Sequence, residues 1–210
     1  MFVSVEKNFI FVHVAKTGGQ ALKRALRPYA VPKASGQWRR LLSHLPVAEG
    51  VDIQFGPHAS VRWAKLKLPR SFFEDAFKFG LVRNPYDLAV SRYAFVRGEG
   101  DHHRHKDAQK QSFADFLNQE RRRALWRPRD QSSMLCDFDG KLLVDQVYRF
   151  ERMEEAFADI VTRLDLPECP ELIRKNASQR GAYQDYYTPV ERKLVEQIWG
   201  RDLEKFGYEF

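Results

Sequence analysis

The side chains most suited to chemistry stand near the amino terminus of this chain of 210 residues, in a turn rich in glycine. The turn consists of Lys16, Thr17, Gly18 and Gly19. An apolar run over 9–14 precedes it, and a helical pattern over 20–26 follows it. A strand that enters a helix through such a turn points the first N–H groups of the helix, and the positive end of its dipole, at an anion. The sequence therefore predicts a phosphate or sulfate site, with Lys16 as an added cation at its edge.

A second candidate ligand for an anion is Arg83, which follows a short apolar strand pattern over 77–82. The Asn-Pro pair at 84–85 is typical of a helix start, and apolar residues at helical spacing follow over 86–96. Open α/β sheets bind ligands at the carboxyl ends of their strands, so Arg83 is suitably placed to bind a phosphate, together with Ser91. Their separation corresponds to about 12 Å of helix axis. The two can share one phosphate only if Arg83 folds back along the helix.

Two motifs carry a resemblance to a known family. Val-His-Val-Ala-Lys-Thr-Gly-Gly over 12–19 and Val-Arg-Asn-Pro-Tyr-Asp-Leu-Ala-Val-Ser over 82–91 resemble the nucleotide motifs of sulfotransferases that use 3′-phosphoadenosine 5′-phosphosulfate (PAPS). The likeness is greatest to the branch of Golgi carbohydrate sulfotransferases and their bacterial relatives. Later blocks of that branch are similar to the segments 130–133, 145–151, 176–180 and 206–210. The resemblance thus extends over most of the chain.

The resemblance implies a role for several of these residues. Lys16 would stabilise the departing phosphate oxygen, and the backbone amides of the turn would hold the 5′ phosphosulfate. Arg83 and Ser91 would bind the 3′-phosphate. The residues expected to bind the cofactor are Lys16, Thr17, Gly18, Gly19, Gln20, Ala21, Arg83, Ser91 and Arg180. At positions 20 and 21 the family usually has Thr and Ser, so two hydroxyl donors are missing, and Gln20 could donate from its side chain.

A hydroxyl acceptor must lose its proton, and histidine is the commonest general base because it titrates near neutrality. His58 resembles the histidine that many members of this branch carry between the two nucleotide motifs, so we expect it to be the base. His13 is expected to be a buried structural histidine. The cluster at 102, 103 and 105 could chelate a metal, but a solvated charged loop is favoured there, and we expect no metal in the reaction.

A basic and aromatic stretch follows the middle of the chain. It contains Arg121, Arg122, Arg123, Trp126, Arg127 and Arg129. Such runs are usually solvated helix faces. The alternative is a groove for an anionic or sugar acceptor, in which Trp126 stacks on a ring.

The elements that must position these residues alternate between strand and helix. Strands are predicted over 9–14, 77–82 and 142–150, and helices over 20–26, 86–96, 113–125, 151–164 and 189–206. The segment 98–107 loses all apolar periodicity and is predicted to be an exposed loop. This alternation favours an α/β fold with a mostly parallel central sheet flanked by helices. The resemblance implies the sulfotransferase version of that fold, related to the P-loop nucleotide hydrolases.

Bulk composition narrows the class without assigning a function. Hydrophobic residues make up 43% and charged residues 30%, which is typical of a soluble globular protein. The length favours one domain over 1–210. No apolar run reaches the roughly 20 residues that span a bilayer, and the motifs begin too early for a signal peptide, so we expect no transmembrane segment and a cytoplasmic protein. Cys136 and Cys169 are read as incidental free thiols.

The leading hypothesis is a sulfotransferase that moves a sulfuryl group from PAPS to a hydroxyl, on a carbohydrate, and releases 3′,5′-bisphosphoadenosine (PAP). The net charge of +7 favours anionic partners in general. One alternative is a nucleotide kinase of related topology, although Lys16 precedes its glycines instead of following them as in the ATP loop. Another is a basic module that binds nucleic acid, although no recognition motif is present, and we expect no nucleic-acid partner. The acceptor and the oligomeric state stay open.

Overall fold

The computed structural model describes residues 1–31, 55–56, 58–126, 130–166 and 181–210. The chain divides into two compact units. The first comprises Met1–Val82 and Ser133–Ile173, and the second comprises Arg83–Ser132 and Arg174–Phe210. A single domain over 1–210 stays a prediction.

The helices and strands alternate along the chain. Within the described ranges the strands are β1 (Phe2–Ser4), β2 (Phe9–Val12), β3 (Phe77–Val82) and β4 (Gln146–Arg149). The α-helices of the described residues are α1 (Gly19–Leu26), α2 (Val61–Lys67), α3 (Arg70–Asp75), α4 (Pro85–Gly98), α5 (His105–Lys110), α6 (Phe113–Trp126), α7 (Ser132–Leu135), α8 (Met153–Arg163) and α9 (Pro189–Phe206). Short 3₁₀ turns occupy Arg27–Tyr29, Phe150–Arg152 and Tyr183–Tyr186.

The first unit contains a four-stranded sheet in the order β1-β2-β3-β4. β1 is antiparallel to β2, whereas β2, β3 and β4 are parallel. Val12 pairs with Gly80, so β2 and β3 end at the same edge of the sheet. The predicted α/β fold with a mostly parallel sheet is confirmed.

One face of this sheet is covered by α1 and α8. Phe9 and Phe11 of β2 and Phe79 of β3 are fully buried, and they form one core with Leu22 of α1 and Ile160 of α8. The alternation of side chains along each strand places these three phenylalanines on one face. On the opposite face, a Cβ added to Gly80 would lie 2.5 Å from Leu135. The sheet is therefore buried on both faces, as its continuous apolar strands predict.

The second unit is helical. Its core is formed by α4, α6 and α9, whose buried side chains include Val90, Phe116, Leu117, Val195 and Trp199. The start of α9 has both parts of a capping box: Thr188 accepts from the backbone of the first turn, and Glu191 accepts from the N–H of Thr188. Pro189 at the first helical position completes this start signal.

Element boundaries agree best where the local signals are strongest. The strand over 77–82 and the helix over 189–206 have the predicted bounds. The first and last predicted strands are too long, because β2 ends at Val12 and β4 spans only Gln146–Arg149. The helix predicted over 151–164 begins at Met153, after a 3₁₀ turn.

The prediction of an exposed loop over 98–107 is wrong at its carboxyl end. α5 begins at His105, and Arg104 is buried, with its guanidinium donating to Glu120 at 2.7 Å. The carboxylate of Glu120 is also buried. A charged sequence predicts solvent exposure, whereas the opposite charges of Arg104 and Glu120 are buried as a pair in the helical unit.

Candidate functional site

The amino-terminal turn is built by its backbone. Lys16 and Gly18 both have left-handed conformations, with φ of 67° and 74°, and α1 begins at Gly19. A non-glycine residue in this region costs about 1 kcal/mol, and such strain is found preferentially at functional sites. The first turn of α1 carries no acidic side chain. The positive end of its dipole is therefore not neutralised from within the helix.

Close packing explains why both glycines are needed. A Cβ added to Gly19 would lie 2.4 Å from the Cδ2 atom of His13. A Cβ added to Gly18 would lie 2.7 Å from the ring of Phe150 and 2.6 Å from the Cε atom of Met153. Any larger residue must displace these neighbours, so the sequence requires glycine for space at Gly19 and for both space and φ at Gly18.

The side chain of Thr17 stabilises the same turn. It is buried, and its hydroxyl donates to the carbonyl oxygen of Val14 at 3.0 Å. Because the hydroxyl proton is used inside the turn, the backbone N–H is the donor that Thr17 can offer an anion. The side chains of Gln20 and Ala21 lie outside the described part of the structure.

The structure brings His13 and His58 together. Their rings are stacked, with centroids 5.1 Å apart, and Nδ1 of His58 donates to the carbonyl oxygen of His13 across 3.4 Å. His13 is buried, as predicted for a structural histidine, whereas His58 is exposed. A neutral ring that donates from Nδ1 keeps its lone pair on Nε2, which is the nitrogen a general base would use.

The arginine turn is built by side chains. Arg83 donates from Nε and Nη2 to the carboxylate of Asp87, at 2.7 Å and 2.6 Å, and from Nη1 to the hydroxyl of Ser91 at 3.2 Å. The guanidinium thus folds back along α4, which is the condition under which Arg83 and Ser91 can share one phosphate. Both residues are buried.

The start of α4 follows the predicted capping pattern. Asn84 is the N-cap, its side chain accepts from the N–H of Tyr86 at 3.0 Å, and Pro85 is the first helical residue. Asp87 lies in the first turn, where the helix dipole favours a negative charge. The cap fixes the direction in which α4 leaves Arg83.

A buried polar network holds the backbone of Arg83. The side-chain amide of Gln131 accepts from the Arg83 N–H and donates to the Arg83 carbonyl oxygen, both at 2.8 Å. The carboxylate of Asp202 accepts from the backbone N–H of Gln131 at 2.6 Å and from the backbone N–H of Ser132 at 2.8 Å. The Ser132 hydroxyl donates to the same carboxylate at 2.5 Å. We call Gln131, Ser132 and Asp202 the Arg83 bracket.

The Asp202 carboxyl is fully buried. Burial raises its pKa above the ordinary value, while the hydrogen bonds from Ser132 and Gln131 act in the opposite direction. Neighbouring Asp130 raises the pKa further, because a second negative charge disfavours ionisation.

Comparison with known proteins gives one match. The model of the sulfotransferase family matches residues 1–209, nearly the whole chain. The chain belongs to the sulfotransferase family. No curated protein and no solved structure matches it significantly. Family membership supports transfer of a sulfuryl group as the general activity of this protein.

The other residues predicted to contact the cofactor or the acceptor lie on α6 or outside the described residues. Arg180 and its segment lie outside the described residues, as do Cys169, Arg127, Arg129 and the side chain of Trp126. Arg121 and Arg122 are exposed on α6, and Arg121 donates to Gln197 at 2.9 Å. Their exposure agrees with a solvated helix face and leaves the acceptor groove a prediction.

His102 and His103 lie just before α5, which begins at His105. The rings of His102 and His103 are stacked with centroids 4.4 Å apart, and burial lowers the pKa of His102, as does the nearby charge of His103. Among the described residues, no three His, Cys, Asp or Glu side chains are grouped as a metal site would require. None of the helices in the described ranges has both the length and the hydropathy to cross a membrane.

Sequence reasoning missed three residues that hold the side chain or the backbone of Arg83 in place: Asp87, Gln131 and Asp202. Asp87 had a readable signal, since a carboxylate four residues after an arginine on a predicted helix suggests an ion pair. Gln131 lies in a segment whose resemblance was noted without a role. Asp202 follows the buried Val195 and Trp199 at helical spacing, so an acidic residue on an apolar helix face was the available signal.

Proposed function

We propose that this sulfotransferase takes its sulfuryl group from PAPS and transfers it to a hydroxyl of a carbohydrate. The observation that carries the proposal is the hydrogen bond from Arg83 to Ser91 at 3.2 Å. It places a guanidinium and a hydroxyl side by side on the first turns of a helix, as recognition of a 3′-phosphate needs. The 3′-phosphate distinguishes PAPS from adenosine 5′-phosphosulfate, which lacks that group.

The amino-terminal turn supplies the chemistry for the other end of the nucleotide. In sulfuryl transfer the acceptor oxygen forms a bond to sulfur as the bond from sulfur to the 5′-phosphate oxygen breaks, and charge develops on that phosphate. The N–H groups at the start of α1 and the ammonium of Lys16 would stabilise this charge, because positive groups held in place before the reaction stabilise charge as it develops. The turn fits an anion on three counts: its left-handed residues, its glycine packing and its acid-free first helical turn.

His58 would accept the proton of the acceptor hydroxyl. Its exposure gives an acceptor access, and the donation from Nδ1 to His13 orients the ring with Nε2 as the basic atom. The stacking on His13 restrains the ring plane, and His13 in turn packs against Gly19 of the turn.

Ligand binding tests the donor half of the proposal. We expect PAP to raise the melting temperature of the protein, while 5′-AMP and ATP with magnesium raise it much less at equal concentration, because only PAP carries the 3′-phosphate. The measurement is thermal unfolding of the full chain with each nucleotide. Equal stabilisation by PAP and 5′-AMP would contradict the role given to Arg83 and Ser91.

An acceptor screen tests the other half. Sulfate labelled in PAPS should be transferred to oligosaccharides and not to simple phenols or tyrosine peptides. The His58→Ala variant is the matched control, since it should keep PAP binding and lose transfer. Transfer to phenols alone would leave the donor assignment intact and exclude a carbohydrate acceptor.

A further inference from the structure

The contact between Gln131 and Arg83 is unusual because one side-chain amide satisfies both backbone groups of the same residue. Oε1 of Gln131 accepts from the Arg83 N–H, and Nε2 donates to the Arg83 carbonyl oxygen, each at 2.8 Å. A neighbouring strand residue would pair with Arg83 in the same way. Gln131 is fully buried, so loss of its amide would leave two backbone groups without these partners.

Asp202 holds Gln131 in its turn. One carboxylate oxygen accepts from the Gln131 N–H, and the other accepts from the N–H and the hydroxyl of Ser132. Asp202 and Ser132 are also fully buried. A series of hydrogen bonds thus connects Asp202 on α9, through Gln131, to the backbone of Arg83. Each of these hydrogen bonds is 2.8 Å or shorter.

The two hydrogen bonds from Gln131 fix the backbone of Arg83, which the contacts of its own side chain do not restrain. Asp87 and Ser91 orient the guanidinium, but its position also depends on the direction in which Cβ leaves the backbone. A hydrogen bond at both the N–H and the carbonyl oxygen restrains both backbone torsions of Arg83. A shift of about 1 Å at such a position can change function strongly.

We propose that Gln131 and Asp202 are positioning residues for recognition of the 3′-phosphate, acting through the backbone of Arg83. The inference rests on the proposed function, because it takes the 3′-phosphate of PAPS as the ligand of Arg83. Neither residue needs to touch the nucleotide. Their effect is confined to the group that Arg83 binds, whereas a purely structural role would weaken all nucleotides alike.

The experiment is calorimetric titration of the full chain with PAP and with 5′-AMP, which lacks the 3′-phosphate. Gln131→Met keeps the length of the side chain and removes both hydrogen bonds. We expect it to raise the Kd for PAP about tenfold and to change the Kd for 5′-AMP less than about twofold. Ser132→Ala removes one hydrogen bond to Asp202 and should shift the ratio of the two Kd values in the same direction by a smaller factor.

Glu120→Gln is the matched control, since it weakens a buried polar pair elsewhere in the helical unit. It should lower stability in urea and leave the ratio of the two Kd values unchanged. If the Gln131→Met protein keeps the wild-type ratio of the Kd values for PAP and 5′-AMP, the positioning role of the bracket is wrong, while the proposed function is unaffected. If that variant does not fold, an unchanged ratio in Ser132→Ala overturns it. A wild-type protein that binds PAP and 5′-AMP equally overturns the proposed function, and the bracket's role with it.

Discussion

The amino-terminal turn over 16–19 is shaped by its backbone, whereas the arginine turn over 83–91 is shaped by its side chains. The first has two left-handed residues and two glycines packed against His13, Phe150 and Met153. The second has a guanidinium held by Asp87 and Ser91 and a backbone held by Gln131. Each follows a parallel strand of the sheet.

The difference predicts opposite sensitivities. A turn built from glycine backbone is damaged when atoms are added, because there is no space for a Cβ. A turn built from buried hydrogen bonds is damaged when atoms are removed, because the remaining polar groups lose their partners. Substitutions of each kind at each turn test this difference.

The largest effect is expected from removal of the Lys16 ammonium. If Lys16 stabilises the leaving oxygen as proposed, Lys16→Ala and Lys16→Gly should both lower kcat by about 10²-fold to 10³-fold. The two variants should differ in stability, because glycine tolerates a φ of 67° and alanine does not. Urea unfolding should therefore find Lys16→Gly more stable than Lys16→Ala by about 1 kcal/mol. Wild-type turnover in both variants would exclude the role given to the ammonium.

The next largest effect is expected when the guanidinium of Arg83 is replaced, which should weaken the binding of PAP. Arg83→Lys keeps the charge and loses the planar fork, so we expect the Kd for PAP to rise by about 10-fold to 100-fold. The kcat measured at saturating PAPS should change little. Arg97→Lys, in the last turn of α4, is the matched control and should leave the Kd unchanged. A fall in kcat with an unchanged Kd would move Arg83 from binding to the chemical step.

A smaller effect is expected when an atom is added to the amino-terminal turn. Gly19→Ala places a Cβ 2.4 Å from His13 and should lower the free energy of unfolding by about 1–3 kcal/mol. Gly200→Ala is the control, since nothing lies within 4 Å of a Cβ at that helical position. It should raise stability by about 0.5–1 kcal/mol. Urea unfolding of both variants checks the contrast, and equal effects would refute the packing explanation.

The smallest expected effect is a pH dependence of stability that arises from Asp202, which holds the backbone near the arginine turn. Because burial raises the folded-state pKa of Asp202, its ionisation costs stability, and this cost is absent below the ordinary aspartate value of about 3.9. The advantage of the wild type over Asp202→Asn should therefore grow as the pH falls from 7 toward 4. Asp130 faces the same carboxyl, and Asp130→Asn should reduce this growth. Unfolding curves across that range measure it, and a difference that shrinks toward low pH would show that the hydrogen bonds outweigh burial.

Sequence reasoning succeeded where a signal is local. Asn84 and Pro85 mark the start of α4, and Pro189 marks the start of α9, since caps act within one turn of the residues that form them. It failed at the end of β2, because pairing with β3 stops at Val12 although the apolar run continues to Val14. It also failed at Arg104, whose burial depends on Glu120 sixteen residues away.

The candidate site also contains features with a local sequence signal and features that depend on residues distant in the chain. The anion site at Lys16, Gly18 and Gly19 stays a prediction, and the structure shows the glycine turn between strand and helix from which it follows. The folding back of Arg83 toward Ser91 was stated as a condition, and the structure meets it. The Arg83 bracket could not be predicted, because Gln131 is 48 residues from Arg83 and Asp202 is 71 residues from Gln131.

The sequence by itself determined the alternating elements, the glycine turn and the family resemblance, because periodicity, caps and motifs are written in neighbouring residues. Only the tertiary structure decided which buried partners hold Arg83, why Gly19 has no room for a side chain and how His58 is oriented. These depend on residues that are distant in the chain and meet when the core excludes water, where an unpaired polar group is costly and each one must find its partner.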